Sequence, residues 1–316
     1  MFTRKVTGLS LLSVLVTATL AAHAAPPAGT GKPANPGPPP FAPVDFCTAR
    51  PNSALTIQQA VDRGCTDITV APGIYRENVV ISVDHTAPIT ITGTDGAANT
   101  IVDGGGNDRV LFNVGANVTL TGLTIQNGST PNGGGGIING RRLTLNNCVV
   151  TNNTANFGGG IHNDFGALTL NNTSVTGNTA LYAGSDTGGG GIYSFSFSYN
   201  FYNDGLGEHG VVTLNNSSVT GNTTAGAGGG IYLEGVALKL TNSSLSGNTA
   251  SEGGGIFVFG AVLELTDSSV TGNTATYDGG GIYFVDYDEV GTFTLRGTSL
   301  VTGNTPNNIV GDPVYL

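Results

Sequence analysis

One pattern restarts seven times along this chain: an apolar–polar–apolar triplet, a run of Ser, Thr and Asn, and then a cluster of glycines. The triplets begin at Val118, Leu143, Leu168, Val212, Leu238, Leu263 and Phe293, at spacings of 25, 25, 44, 26, 25 and 30 residues. A recurring period near 25 residues is the mark of a solenoid, because one such unit cannot bury its own apolar face and must stack on its neighbours. Copies such as Leu168–Ala180 (LTLNNTSVTGNTA) and Leu263–Ala275 (LELTDSSVTGNTA) then lead through glycines to an Ile and an aromatic residue. The isoleucines recur at Ile137, Ile161, Ile192, Ile231, Ile256 and Ile282.

Each unit therefore holds three short stretches of period two, separated by Gly, Asn and Thr, and reads as strand, turn, strand, turn, strand. Three strands per unit at this period do not close as a hairpin meander. Stacked as coils at about 4.8 Å per rung, they form three parallel sheets around an apolar interior. The expected fold class is all-β, a single-stranded right-handed parallel β-helix of about nine or ten coils, its hand following from the crossover rule. Asn153, Asn178, Asn222, Asn248, Asn273 and Asn304 recur at one turn. Their amides are expected to hydrogen-bond along the axis in a structural ladder and to tolerate left-handed backbone.

Charged residues make up only 10% of the chain, against roughly 25% in ordinary domains. Few side chains are thus available for acid, base or metal chemistry. The net charge of −10, with 11 Lys and Arg, argues against nucleic acid, whose phosphates need basic patches.

Arg4 and Lys5 precede an apolar run from Val6 to Leu20, and Ala22-His23-Ala24 offers a small-residue cleavage site, so residues 1–24 read as a secretory signal peptide. The run is too short to span a membrane, and the mature chain is expected to lack a transmembrane segment. Residues 25–45 are a Pro/Gly/Ala-rich linker, and 46–316 are the β-helix domain, with an N-terminal cap over about 46–66. Export favours a disulfide between Cys47 and Cys65, which flank a helical segment, Leu55 to Val61, that Ser53 would cap. That helix would lid the first coil, whose open strand edges need cover. Cys148 is expected to be a small buried residue.

The Leu55–Val61 segment, Ile68-Thr-Val, and Gly73-Ile-Tyr-Arg-Glu-Asn-Val-Val-Ile81 together resemble the entry coils of pectin-lyase-like right-handed β-helices. The later coils, with GGGI runs and [VL]-x-G-N at Val175, Val219, Leu245 and Val270, are similar to the polymorphic outer-membrane protein repeat. Val or Leu replaces the Phe of that repeat's F-x-x-N signature. The resemblance covers about residues 53 to 310 and implies a secreted or surface-exposed protein. The chain ends at Leu316, shortly after the last coil, with no membrane barrel following, so free secretion or retention by a partner is expected.

Enzymes that resemble this fold supply a rival reading, a polysaccharide lyase or glycoside hydrolase. Polygalacturonases use neighbouring Asp residues, and this chain has no Asp-Asp pair. Asp84-His85 is similar to a lyase dipeptide but lies in an early coil. The Tyr75–Asn78 stretch is shared with methylesterases as framework. The sequence identifies no catalytic residue.

Two units depart from the period: about 19 extra residues fall around Ser194–Gly210, and about five around Val285–Gly291. Between them one strand position holds His162, Tyr193, Tyr232, Phe257 and Tyr283. If the isoleucines point inward, strand alternation sends this column outward as an aromatic floor between two loop walls, with Glu234, Asp286, Asp288 and Glu289 at the rim. Such a floor suits a polysaccharide or cell-surface glycan. The plainer alternative is a packing stack. Asp286, Asp288 and Glu289 are candidate Ca²⁺ ligands, although a solvated acidic loop explains the run as well; otherwise no cofactor is expected. His162 and His209 are isolated from any Ser or Cys partner.

Outward hydroxyl columns at Ser174/Thr176, Ser218/Thr220, Ser244/Ser246 and Ser269/Thr271, with a second set at Thr119, Thr144, Thr169, Thr213 and Thr294, resemble ice-binding arrays. They read equally as ordinary β-prone solvent faces. Lys239 and Glu264 interrupt the second set as an expected cross-strand pair. The functional expectation is a monomeric, exported, carbohydrate-binding or adhesive β-helix.

Overall fold

The structure, a computed structural model, describes residues 47–52, 55–184, 187–196, 210–286, 291–311 and 314–315. The expected signal peptide and linker, Ser53, His209, Asp288 and Glu289 lie outside those residues. Asp45–Leu316 forms one compact unit.

The chain winds as a right-handed parallel β-helix. Its strands fall into parallel sheets of eleven, nine, nine and five strands, and within each sheet hydrogen-bonded neighbours are successive turns of the coil. The triplets build the eleven-stranded sheet, the Ser-Val-Thr stretches one nine-stranded sheet, and the Ile-aromatic stretches the other. The five-stranded sheet was not expected; it forms from the Asn-Thr-Ala segments, Thr154–Ala155 through Thr274–Asp278, which turn the corner toward the aromatic sheet.

Register follows the repeats. Leu143 faces Leu168, Leu168 faces Val212 and Leu238 faces Leu263 across adjacent rungs. The 44-residue unit thus keeps register as well as the 25-residue ones. The triplet leucines, Val150, Val175 and Val219, and the isoleucine column are fully buried and form one continuous core. A one-residue slip would turn every one of these side chains out of that core, so burial itself fixes the register.

The asparagine ladder is present. Asn178 Nδ2 donates to Asn222 Oδ1 at 3.0 Å, Asn222 to Asn248 at 3.0 Å and Asn248 to Asn273 at 2.8 Å. Each Oδ1 also takes a backbone N–H one rung away, as Asn222 Oδ1 does from Asn178 N at 3.0 Å, and Asn222 Nδ2 reaches Val175 O at 3.0 Å. Left-handed backbone, however, sits one residue earlier than expected, at Gly177, Gly221, Gly247 and Gly272. A second buried ladder, Asn113, Asn139, Asn163 and Ser194, lines the aromatic sheet's inner side, with Asn139 Nδ2 to Asn163 Oδ1 at 2.7 Å. There Leu233 and Val258 continue the column as apolar residues, which hides it from the repeat pattern.

The entry coil is closed by a helix over Ile57–Asp62, shorter than expected and capped by Thr56, whose hydroxyl accepts from Gln59 N. The Glu77 carboxylate takes the first helical N–H groups, from Ile57 at 3.1 Å and Gln58 at 2.9 Å, as a helix N-terminus favours. Tyr75 Oη donates to Ala71 O at 2.6 Å, and burial with the nearby Glu77 pushes its phenol up to about 12. The Tyr75–Asn78 stretch is therefore a clamp for the cap. Cys47 and Cys65 are joined, with Cα atoms 5.8 Å apart.

Candidate functional site

Strand alternation places His162, Tyr193, Tyr232, Phe257 and Tyr283 in register on successive rungs, opposite in direction to the core isoleucines. Tyr193, Tyr232, Phe257 and Tyr283 pack in a cluster separate from the main core, and His162 meets it through Phe157 and Tyr193, so the column points outward. It is not an exposed floor. Tyr193, Tyr232 and Phe257 are only 9, 2 and 6% exposed. Their rings stack face to face, with centroids 4.9 Å apart between Tyr193 and Tyr232, 5.1 Å between Tyr232 and Phe257, and 5.5 Å between Phe257 and Tyr283.

Two causes remove these faces from solvent. Each ring covers the next at rung spacing, and Phe157 and Ala227, from the segments before the glycine runs, pack over the column. The glycines permit this approach: a Cβ on Gly228, at φ +70°, would meet Ile231 O at 2.6 Å and Tyr232 Cα at 2.8 Å. The column is a packing stack, and Glu234 touches it through Tyr232 Oη, which donates to Oε2 at 3.3 Å.

His162 ends the stack, edge-on to Phe157 at 5.1 Å and to Tyr193 at 5.2 Å. Its Nδ1 is buried without a partner, as is Arg109 Nε. Burial, with the Arg109 charge adding to it, pushes the imidazole down to about 4. It is neutral near pH 7.

Two residues further along the same strands lies a column that the repeat pattern did not single out. Asp164, Phe195, Glu234, Phe259 and Val285 are in register on five rungs, all half-buried. Carboxylate and phenyl alternate over the first four. Burial raises the Asp164 carboxyl above its ordinary value. Phe165, at φ +58° and 39% exposed, sets its ring edge toward Phe195 at 5.8 Å. Left-handed backbone is unusual at a bulky residue and marks a place where local strain is held by the surroundings. The signal in the sequence was the third residue after each isoleucine, obscured because it is acidic in some coils and aromatic in others.

The other candidates separate. Asp286 Oδ2 accepts from Gly291 N at 2.9 Å. No group of three His, Cys, Asp or Glu among the described residues is arranged to hold a metal ion. His85 Nδ1 lies 3.3 Å from Ser82 Oγ within one turn, a local contact that the sequence reading missed. The hydroxyl columns hydrogen-bond along the axis, Ser218 to Ser174 at 3.3 Å and Thr220 to Thr176 at 3.1 Å. Glu264 is in register with Lys239 but binds Arg296 Nε at 2.7 Å. Cys148 is buried, and desolvation pushes its thiol up to about 11, far from the thiolate that nucleophilic chemistry requires.

Residues 267–285 match the Chlamydia polymorphic membrane protein repeat. That segment runs from the Ser-Val-Thr strand through the Asn ladder and glycine run into the aromatic strand, one whole corner of the coil. Among solved structures the chain is similar to a pectin methylesterase from carrot, at 13% identity and a TM-score of 0.41, over 79% of this chain and 78% of that one. No curated protein matches the chain. No helix among the described residues is long and apolar enough to cross a membrane.

Proposed function

We propose that this chain is an exported, monomeric β-helix that binds carbohydrate at a cell surface or in the medium, as an adhesive or glycan-recognition protein. The observation that carries this reading is the alternating column Asp164, Phe195, Glu234, Phe259, repeated at rung spacing and half-exposed. A phenyl ring packs against the C–H face of a sugar, and a flanking carboxylate accepts its hydroxyl protons; alternation along one axis repeats both contacts for successive sugars. The buried Tyr193, Tyr232 and Phe257 pack beside this column on the same face of the sheet, with Tyr232 Oη bonded to Glu234, and Tyr283 and His162 end the stack. Export is supported by the Cys47–Cys65 disulfide, which persists in oxidising compartments, together with the signal-like N-terminus.

The test is a panel of polysaccharides screened for both binding and cleavage. Phe195→Ala/Phe259→Ala should lower glycan affinity at least tenfold. Glu234→Gln, which keeps the volume and the acceptor for Tyr232, should weaken binding without moving the melting temperature. A wild-type chain that binds no member of the panel ends this reading, and cleavage of a bound member would assign it to the enzymatic class instead.

A further inference from the structure

The corner between the triplet sheet and the Ser-Val-Thr sheet carries a second feature with no role in holding the coil. At this turn Asn147, Asn172, Asn216 and Asn242 occupy successive rungs, with φ of 53, 48, 48 and 49°. All four are exposed. Their backbone N–H groups are consumed between coils, as from Asn172 to Asn215 O at 3.0 Å and from Asn216 to Thr241 O at 3.0 Å. Their side-chain amides make no hydrogen bond to any other described residue, whereas those one position earlier are tied along the axis, Asn171 to Asn146 and Asn215 to Asn171 at 2.9 Å each.

The four amides flank a groove of about 370 Å³ that runs along the helix axis, with Ser174, Ser218 and Ser244 on its other wall. Its floor is polar but satisfied, since Ser217 Oγ donates to Asn215 O at 2.8 Å and accepts from Thr173 N at 3.1 Å. The left-handed backbone does not by itself require asparagine. At the next turn of the same coils the left-handed position is Gly177, Gly221, Gly247, Gly272 and Gly303. A residue without a side chain meets the conformational demand there at no steric cost. At the groove the demand is met on four rungs by a side chain that adds a free donor and a free acceptor.

We infer that this groove is a glycan-binding site for a neutral, linear polysaccharide lying parallel to the axis. Each of the four rungs presents one amide, donor and acceptor together, and three of them add one hydroxyl, Val149 standing at that position beside Asn147; the rungs repeat at about 4.8 Å. An extended chain of pyranose rings advances by a comparable distance per sugar and offers vicinal hydroxyls that can give and take one hydrogen bond each. The groove wall carries no charge, and Asp267 continues the asparagine column on the next rung, where its Oδ1 takes Thr298 N at 2.9 Å. Acidic sugars therefore find no cation and meet a carboxylate at one end. A peptide strand is a poorer occupant, because the backbone groups at this corner already pair from coil to coil.

The site lies on a different corner from the Asp164–Phe259 column and extends the same carbohydrate-binding reading, so its test must separate the two. The probes are neutral cello-, xylo-, manno- and galacto-oligosaccharides and acidic oligogalacturonates, titrated against the full chain. Asn172→Gly/Asn216→Gly removes two amides while keeping the left-handed backbone accessible, so the fold is retained. Affinity for a neutral oligosaccharide should fall at least tenfold in this variant, with an unchanged melting temperature. Binding in the wild type should persist when salt is raised to about 0.5 M, since no ion pair is involved. Ser218→Tyr, which fills the groove from the opposite wall, should give the same loss. Neutral-glycan binding that survives both variants but disappears in Phe195→Ala/Phe259→Ala overturns the groove and leaves the aromatic–carboxylate column standing. No binding of any probe by the wild type overturns both.

Discussion

At the scale of single residues, burial decides chemistry. His162 is 8% exposed among Phe157 and Tyr193, and its Nδ1 has no partner, so the folded protein holds the ring neutral. The folded pKa of about 4 lies below the ordinary 6.5. Between those values the unfolded chain binds a proton that the folded chain refuses, so stability is full above about pH 6.5 and falls as pH drops toward 4. The loss approaches about 3 kcal/mol at 1.36 kcal/mol per unit. Asp164 acts in the opposite sense, because burial raises its carboxyl and the folded state prefers the protonated form. The difference between wild type and His162→Phe isolates the imidazole, whatever the baseline stability of the variant. Urea unfolding from pH 7 to pH 4 should show a steep acid loss in the wild type and a flatter one in His162→Phe. Parallel slopes would mean that the ring is protonated in the folded protein or reached by water.

At the scale of one strand and its neighbours, the aromatic column shows both the reach and the limit of periodicity. Alternation sends Tyr232 and Glu234 to the side opposite Ile231 once Ile231 points inward, and the structure has Ile231 in the main core with Tyr232 and Glu234 together on the other side. Burial of Tyr232 was not legible, because it comes from Phe257 and Tyr193 on adjacent rungs and from Ala227 over the corner, contacts between coils that no single coil displays. The helix cap shows the same limit at short range. Ser53 and Thr56 are both good caps, and Thr56 is selected because Gln59 returns a hydrogen bond to its N–H and Glu77 meets the next two donors. The hydrogen bonding of the Asn153-to-Asn304 ladder, by contrast, was readable, since every copy carries the same residue at the same offset, although the left-handed position falls one residue earlier. The stack sets a measurable expectation. Tyr232→Ala and Phe257→Ala should each leave a cavity and cost roughly 3–5 kcal/mol, seen as a large fall in denaturation midpoint. A double variant that melts like the wild type would place the rings in solvent and restore the exposed floor.

At the scale of the molecule, coils contact only the coils above and below, so stability is a sum of local terms and can fail locally. The entry coil depends on devices outside the repeat: the helix Ile57–Asp62, the Glu77 carboxylate over its N-terminus, and the Cys47–Cys65 bridge across 18 residues. Closing a loop of that length is worth about 3 kcal/mol by limiting the unfolded chain. The bridge pins the first edge strand, Thr48–Ala49, against Asp67–Val70, and without it that edge is held by only a few hydrogen bonds. Cys47→Ser/Cys65→Ser should therefore loosen the solenoid from this end. Native-state hydrogen exchange should show protection falling first in Asp67–Val70, Gly73–Arg76 and Ile89–Gly93, while Val211–Asn215 and Ala237–Thr241, shielded by coils on both sides, keep wild-type rates. The asparagine ladder sharpens this contrast, because each amide from Asn153 to Asn304 links one coil to the next and resists the spread of an opening from rung to rung. A uniform drop along the whole axis would instead make the β-helix one cooperative unit, with the cap contributing to every coil equally.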